Sequence, residues 1–342
     1  MNAGSLSIER VGLVTSLGSS APATCAALRA GISNACVGPF TDRTGNPLAV
    51  HRVALERPWY GRGKLLMMCI AALTECLRAG PPEERNGLPL ILCTAEPGRV
   101  GRIEGLDKAL LDDIARALDG VIDRRRSTLL PAGRPGALLA LVHARRFLQE
   151  GSSHVLIAAV DSLLTVKTID ALLGEDRLLT RTNSNGFIAG EGAGAMLVSR
   201  ATRSGGLICS GLGAGMEPAH FASGQPLRAD GLAAAIRAAL DESGREIHEI
   251  DFRITDLSGE QFYFKEASMA VARLLRQRKA SFDLWHPAEG IGETGAVATI
   301  AMIAVAWHAS RKGYAPGPRM LLHAGSDGSE RMAAIFDGPA VP

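Results

Sequence analysis

Aromatic residues are scarce in this 342-residue chain, in which Phe, Trp and Tyr together make up 4%. The core must therefore be aliphatic, and 46% hydrophobic residues suffice for one large α/β unit or two average domains. No apolar run reaches the roughly 18 residues that a membrane-spanning helix needs, so we expect no such helix. An excess of charge of one sign is also missing. The formal net charge of +2 argues against a dedicated nucleic-acid surface.

The six cysteines form no CxxC pair and have no spacing to histidine that would indicate a metal site. Most lie in apolar stretches, where cysteine behaves as a small hydrophobic residue, so we expect reduced and buried thiols. Reduced thiols are typical of the cytoplasm, and residues 1–10 lack the apolar core of an export signal. The sequence thus predicts a cytoplasmic protein with no metal and no cofactor.

Short apolar segments alternate with longer helical ones along the chain. Predicted strands include residues 8–14, 155–160 and 320–323, and predicted helices include 64–79 and 137–150. This alternation predicts a mostly buried, largely parallel sheet with helices on both faces.

Three blocks of sequence resemble the β-ketoacyl-acyl carrier protein synthases. They are VGLVTSLG at 11–18, VLIAAVDS at 155–162 and GFIAGEGA at 186–193, and the last keeps the family's GFxxGEGA turn almost unaltered. The resemblance implies a thiolase-like α/β fold, with five layers in the order αβαβα built from two similar halves.

Turn-forming residues at 199–206 follow a predicted strand and mark the predicted boundary between these halves. The N-terminal thiolase-like half is then residues 1–200, and the C-terminal half is residues 206–342. We expect the two halves to form one compact unit.

Members of that family join acyl units with a Cys-His-His triad. The cysteine takes the acyl group at a helix N-terminus, where the helix dipole lowers the thiol pKa. The two histidines stabilise the enolate that forms when the malonyl thioester loses its carboxylate. The corresponding positions in this chain are Gly133 or Arg134 for the cysteine, Asp256 for the first histidine and Glu293 for the second. A one-residue gap leaves the cysteine position open between Gly133 and Arg134.

These replacements predict that the family's condensation reaction is lost and that the chain has no catalytic residue at these positions. A carboxylate at Asp256 or Glu293 would repel a developing oxyanion instead of stabilising it. Opposite charges in a buried site must pair. Arg134, Asp256 and Glu293 are therefore expected to form either an ion-paired plug or a polar site for an anionic group.

Three functions are compatible with such a chain. The first is an inactive ketosynthase-like adaptor or assembly factor, for instance an accessory protein of a bacterial secretion system. The second is a subunit like the chain-length factors, which resemble ketosynthases, lack the nucleophile and pair with an active ketosynthase. The third is a divergent acyltransferase, for which Ser127, Thr128 or Ser258 is the available nucleophile.

The partners follow from these alternatives. An adaptor implies a secretion effector or other adaptor, and a chain-length factor implies a ketosynthase and an acyl carrier protein. The family resemblance implies a homodimer or a heterodimer, and we expect neither a nucleic acid nor a membrane as partner.

Overall fold

The computed structural model describes residues 4–78, 80, 86–201 and 206–339. Strands and helices alternate through most of these ranges. The strands are β1 (Leu6–Val14), β2 (Cys36–Thr41), β3 (Pro47–His51), β4 (Leu90–Cys93), β5 (Thr128–Leu130), β6 (His154–Ser162), β7 (Ala189–Arg200), β8 (Leu207–Met216), β9 (Phe252–Thr255), β10 (Leu284–Trp285), β11 (Arg319–Gly325) and β12 (Glu330–Asp337). The helices are α1 (Ala21–Arg29), α2 (Gly61–Arg78), α3 (Lys108–Ala117), α4 (Gly136–Gln149), α5 (Val166–Gly174), α6 (Asp230–Ser243), α7 (Gln261–Leu274), α8 (Ala288–Ile291) and α9 (Ala298–Arg311).

The two halves of the chain repeat one strand order. From the centre outward, the first half runs β1-β7-β6-β4-β5 and the second half runs β8-β12-β11-β9-β10. Without the β2–β3 hairpin, each half has five strands on this path. In both halves, counted along the chain, the first strand pairs with the fifth, the fifth with the fourth, the fourth with the second and the second with the third. β1 and β8 pair antiparallel and join the halves, while the β2–β3 hairpin is attached through β7. The predicted α/β fold of two similar halves is confirmed.

The prediction of a largely parallel sheet is wrong. Parallel pairing is found for β4 with β5 and β6, for β9 with β10 and β11, and for β3 with β7. Antiparallel pairing joins β6, β7, β1, β8, β12 and β11 in succession. Most residues of β7 are buried, and a strand buried on both faces has the same apolar composition whichever direction it runs.

The sheet and helices stack in five layers. One apolar cluster joins α2 and α3 to the outer face of the first half-sheet, and another joins α6 and α7 to the outer face of the second. The largest cluster lies between the half-sheets and contains α4 and α9. Ten of the 14 residues of α9 are buried, as expected for a helix that is apolar on all sides.

The structure also bears on the expectations for the cysteines, for membrane-spanning helices and for the boundary between the halves. Five cysteines are buried and unpaired, but Cys36 is exposed, because β2 lies in the peripheral hairpin. Among the described residues, none of the helices combines the length and the apolar character needed to cross a membrane. The boundary at 199–206 stays a prediction, because residues 202–205 lie outside the described part, as does Ala79 at the end of the helix predicted for 64–79.

Candidate functional site

The turn before α4 places one side chain in the centre of the molecule. Gly133 has a left-handed φ of +60°, and its N–H donates to the Thr94 carbonyl at 3.1 Å. A Cβ built on Gly133 would lie 2.5 Å from Oε2 of Glu96, so a residue with a side chain would be strained there. The next residue, Arg134, is 8% exposed and sends its guanidinium into the site.

The guanidinium of Arg134 meets three carboxylates. Its Nε lies 3.8 Å from Oδ2 of Asp256, its Nη1 lies 3.5 Å from Oε2 of Glu293, and its Nη2 donates to Oδ1 of Asp327 at 2.7 Å. The same group stacks on the ring of Tyr263, 4.4 Å from its centroid. The structure therefore brings Arg134, Asp256 and Glu293 together, although residues 134 and 293 are distant in sequence.

Backbone hydrogen bonds fix the members of this cluster. Thr299 donates its hydroxyl to the Arg134 carbonyl at 2.9 Å and accepts from the Ala137 N–H at 3.2 Å. Oδ2 of Asp256 accepts from the Gly325 N–H at 3.0 Å. Oε1 of Glu293 accepts from the Gly295 N–H at 2.8 Å. These bonds hold the charged groups in place before any ligand binds.

A second arginine extends the network. Arg177 makes a two-pronged ion pair with Glu260, with both N–O distances at 2.8 Å, and also donates to Asp327 at 2.6 and 3.1 Å. The Tyr263 hydroxyl donates to Asp327 at 2.5 Å. The roles of Arg177, Glu260 and Tyr263 were not predictable from the sequence, because their partners are remote in sequence and no local spacing marks them.

The carboxyls of the cluster have opposing pKa shifts. Burial raises the pKa of Glu293 to about 7, although Arg134 works in the other direction. Burial also raises the pKa of Asp256. Desolvation would raise the pKa of Asp327 too, but Arg134 and Arg177 outweigh it and hold that pKa well below its usual range. Asp327 is therefore the carboxylate that stays ionised between the two arginines.

A cavity of about 850 Å³ opens beside the cluster. Its walls are mostly apolar, and its polar lining includes Arg134, Arg177 and Asp327. The apolar lining includes Leu139, Leu163, Leu172, Phe187, Phe221 and Met332. A volume of this size suits an organic ligand.

The residues that line the cavity differ from those of a Cys-His-His site. Within the described part of the chain, neither a cysteine nor a histidine lines it. Cys93 lies beneath the start of α4, with its Sγ 3.8 Å from a Cβ built on Gly136, but burial raises the pKa of this thiol far above its usual range. It cannot supply a thiolate near neutral pH.

The three hydroxyls proposed for a divergent acyltransferase are not at the cluster's centre. Oγ of Ser127 accepts from the Leu90 N–H at 3.0 Å and donates to the Asp123 carbonyl at 2.6 Å, which is a structural arrangement. Thr128 lies on β5, and Ser258 has a buried hydroxyl. Within the part of the chain that the structure describes, the lining of the large cavity does not include Ser127, Thr128 or Ser258.

The chain has the thiolase-like fold of ketosynthases, as the three sequence blocks predicted. It superposes on one chain of the complex of a ketosynthase with its chain length factor from Xenorhabdus doucetiae, with a TM-score of 0.74 and 14% identity, covering 97% of this chain and 98% of that one. The ishigamide ketosynthase/chain length factor gives a TM-score of 0.78 at 17% identity, with 98% and 99% covered. At these identities the likeness shows the fold alone.

One curated relative is similar in sequence. A protein of Streptomyces cyaneus described as a polyketide β-ketoacyl synthase is 27% identical over 183 residues, which are 49% of this chain. The chain thus spans less than half of that relative's length, 44%. No protein-family model matches the sequence.

Proposed function

We propose that this protein is a catalytically inactive subunit on the ketosynthase fold that pairs with an active ketosynthase, in the manner of a chain-length factor. The observation that carries the proposal is the ion-paired cluster of Arg134, Asp256 and Glu293 in place of a nucleophile and two histidines. A guanidinium that is always charged cannot attack a thioester. Two carboxylates beside the reaction centre would repel an enolate.

The open cavity supports a role in which the protein contacts a substrate chain. It does not favour a purely structural role with a collapsed site. Its volume of about 850 Å³ and its apolar lining suit an acyl or polyketide segment supplied by the active partner. The ion-paired cluster around Arg134 would close one end of such a cavity.

The edge of the sheet supports a protein partner. β5 is the last strand on its side of the sheet path within the described chain, and its three residues are each only half-buried. An edge strand presents unpaired N–H and C=O groups to which another chain can add. Two of the similar structures are complexes, one of a ketosynthase with its chain length factor and one of a ketosynthase with an acyl-carrier protein.

The same relatives favour this reading over the secretion-system adaptor, for which they give no support. The divergent acyltransferase is the weakest alternative, because Ser127 is engaged in structural hydrogen bonds and, in the part of the chain that the structure describes, the cavity lining does not include Ser127, Thr128 or Ser258.

The test is a pull-down of the tagged full-length chain from its native cell, followed by mass spectrometry and sizing of the purified complex. We expect a one-to-one complex with a ketosynthase that retains Cys-His-His, and no radiolabel on this chain when the complex is offered acyl thioesters. Recovery of secretion components without a ketosynthase, or covalent acylation of this chain, would overturn the proposal.

Two variants locate the interface. Leu129→Asp places a charge on β5 and should abolish the complex, whereas Val37→Asp makes the same kind of change at a valine that is 76% exposed on β2 and should leave it intact. Circular dichroism shows whether both variants fold. If the Leu129→Asp variant does not fold, Thr128→Lys on the same strand is used in its place. Equal loss or equal retention of the complex in both variants would contradict a β5 interface.

A further inference from the structure

In the part of the chain that the structure describes, no carboxylate pairs with Arg253, a half-buried arginine of β9. Its Nη2 donates to the Phe282 carbonyl at 3.0 Å, and its guanidinium lies 4.6 Å from the centroid of the Phe282 ring, just before β10. Its Nε is buried and has no hydrogen-bond partner among the described residues. Burial lowers the pKa of this guanidinium. Because a desolvated charge is normally paired, Arg253 indicates a counterion that comes from outside the described chain.

A second cation contacts the same ring. Nζ of Lys279 lies 5.3 Å from the Phe282 centroid and donates to the His248 carbonyl at 2.7 Å. Lys279 belongs to the loop that joins α7 to β10, and this loop also contains Arg276 and Arg278, which are both exposed. Among the described residues, no ion pair neutralises these three cations. Positive charge from β9 and from the α7–β10 loop therefore meets at Phe282.

The acidic residues close to this cluster do not neutralise it. Oε1 of Glu249 lies 3.5 Å from Nη1 of Arg319, and Oδ2 of Asp251 accepts from the Arg319 N–H at 2.8 Å. Asp283 is the one acidic residue of the α7–β10 loop, and it is exposed. Against its single negative charge stand the four positive charges of Arg253 and the loop, an excess of three in a chain whose net charge is +2. A local excess of this size favours an anionic partner.

The strand beside this cluster ends the sheet. Within the described chain, β10 is the last strand at its end of the sheet path and pairs with β9 alone. The two strands are parallel, with Leu284 opposite Arg253. The Arg253 N–H donates to the Asp283 carbonyl at 2.9 Å, so Arg253 is the residue of this pair whose main chain faces the neighbouring strand. The main-chain N–H and C=O of Leu284 therefore point away from β9, to the side where another strand can add.

We propose that the edge at β10 binds an extended, acidic segment of a partner protein. The main chain of the segment pairs with Leu284, and its Asp or Glu side chains pair with Arg253 and Lys279. In an extended segment every second side chain lies on the same face of the sheet, so carboxylates at alternate positions can meet these cations. A strand that adds to a sheet edge gains affinity from main-chain hydrogen bonds and specificity from its side chains.

A peptide uses both features of this site at once. Neither a free phosphate nor a lipid headgroup has a main chain that can pair with Leu284, whereas a peptide pairs with the edge and with Arg253. The edge at β10 lies at the opposite end of the sheet path from β5, so the proposal does not depend on a ketosynthase bound at β5.

The test measures the binding of fluorescein-labelled heptapeptides to the full-length protein by fluorescence anisotropy. In the first peptide Glu alternates with Thr. The second has the same composition with all its Glu residues grouped at one end, and the third has Lys in place of every Glu. We expect the alternating acidic peptide to bind at least about 10-fold more tightly than the grouped one, and the Lys peptide not to bind.

Variants assign the binding to the β10 edge. Arg253→Gln removes the half-buried charge and Leu284→Pro removes the outward N–H, and each should weaken binding of the alternating peptide by at least about 10-fold. Arg125→Gln removes an exposed positive charge beside β5 and should leave the affinity unchanged. Circular dichroism shows whether the variants fold. If the first two do not, Arg276→Glu combined with Arg278→Glu on the exposed loop takes their place.

Three results would overturn the proposal. The first is an unchanged affinity in the folded Arg253→Gln and Leu284→Pro variants. The second is equal binding of the alternating and grouped peptides, which would show attraction to charge without strand pairing. The third is tighter binding to phosphatidylglycerol vesicles or to single-stranded RNA than to the alternating peptide. Leu284→Pro should still recover a ketosynthase in the pull-down, so failure at β10 is distinguishable from failure at β5.

Discussion

Replacing Glu293 by Gln measures the electrostatic cost that the altered site imposes on the fold. Burial raises the pKa of the Glu293 carboxyl from 4.5 to about 7, against the opposing effect of Arg134. The folded state therefore holds this proton more tightly than the unfolded chain does. Stability is full below pH 4.5 and falls as the pH rises from 4.5 to about 7. Since one pKa unit corresponds to about 1.4 kcal/mol, the ionised carboxylate costs roughly 3 kcal/mol at pH 8.

Gln has nearly the same shape as Glu, and its carbonyl oxygen can accept the hydrogen bond that the Gly295 N–H now makes at 2.8 Å. The Gln side chain never ionises, so the variant does not bear the free-energy cost of a buried carboxylate. We expect Glu293→Gln to match the parent protein near pH 4.5 and to be more stable by roughly 2–3 kcal/mol at pH 8. Urea denaturation followed by circular dichroism across this range measures the difference.

The experiment is run at constant ionic strength, so that only the pH changes across the series. The exposed Glu150 pairs with Arg146 at the C-terminal end of α4, and Glu150→Gln serves as the control, for which we expect no measurable change in stability across this range. A difference between parent and Glu293→Gln that is constant with pH would refute the reasoning. So would a variant that is less stable at pH 8, because the ion pair with Arg134 would then outweigh desolvation.

Two other predictions concern the surroundings of the site. Thr299→Val should lower the free energy of unfolding by about 1–3 kcal/mol, because its hydroxyl serves both the Arg134 carbonyl and an N–H at the start of α4; no measurable loss in urea denaturation would contradict this. Iodoacetamide at pH 8 should modify the exposed Cys36 and spare Cys93, whose thiol pKa burial raises far above its usual range; peptide mapping that finds Cys93 labelled in the folded protein would count against it.

The long elements of the fold were predictable because their patterns are local. The helices predicted for 64–79 and 137–150 correspond to α2 and α4 within a few residues, since an apolar stripe and a terminal glycine suffice to define a helix. The hairpin β2–β3 and the two-residue strand β10 were not predicted. Elements so short depend on pairing with distant strands, and a short window of sequence does not contain that information.

The candidate site was predictable only as far as sequence motifs reach. Asp256 and Glu293 follow segments that resemble family motifs, so their meeting with Arg134 was expected. Arg177 and Asp327 contact each other across 150 positions of the sequence, and such a contact leaves no periodic signal. The direction of the strands was also hidden, because buried strands are apolar in either orientation.

The shared central layer has a consequence for how the chain is made. β1 completes the first half-sheet by pairing with β7, so that sheet cannot close on the ribosome until the chain has emerged through Arg200. Even then its inner face lacks α9, which packs against it from Ala298–Arg311. The nascent chain must keep that apolar surface covered until α9 has been made. A premature stop after β7 would therefore release an aggregation-prone fragment rather than a small stable domain.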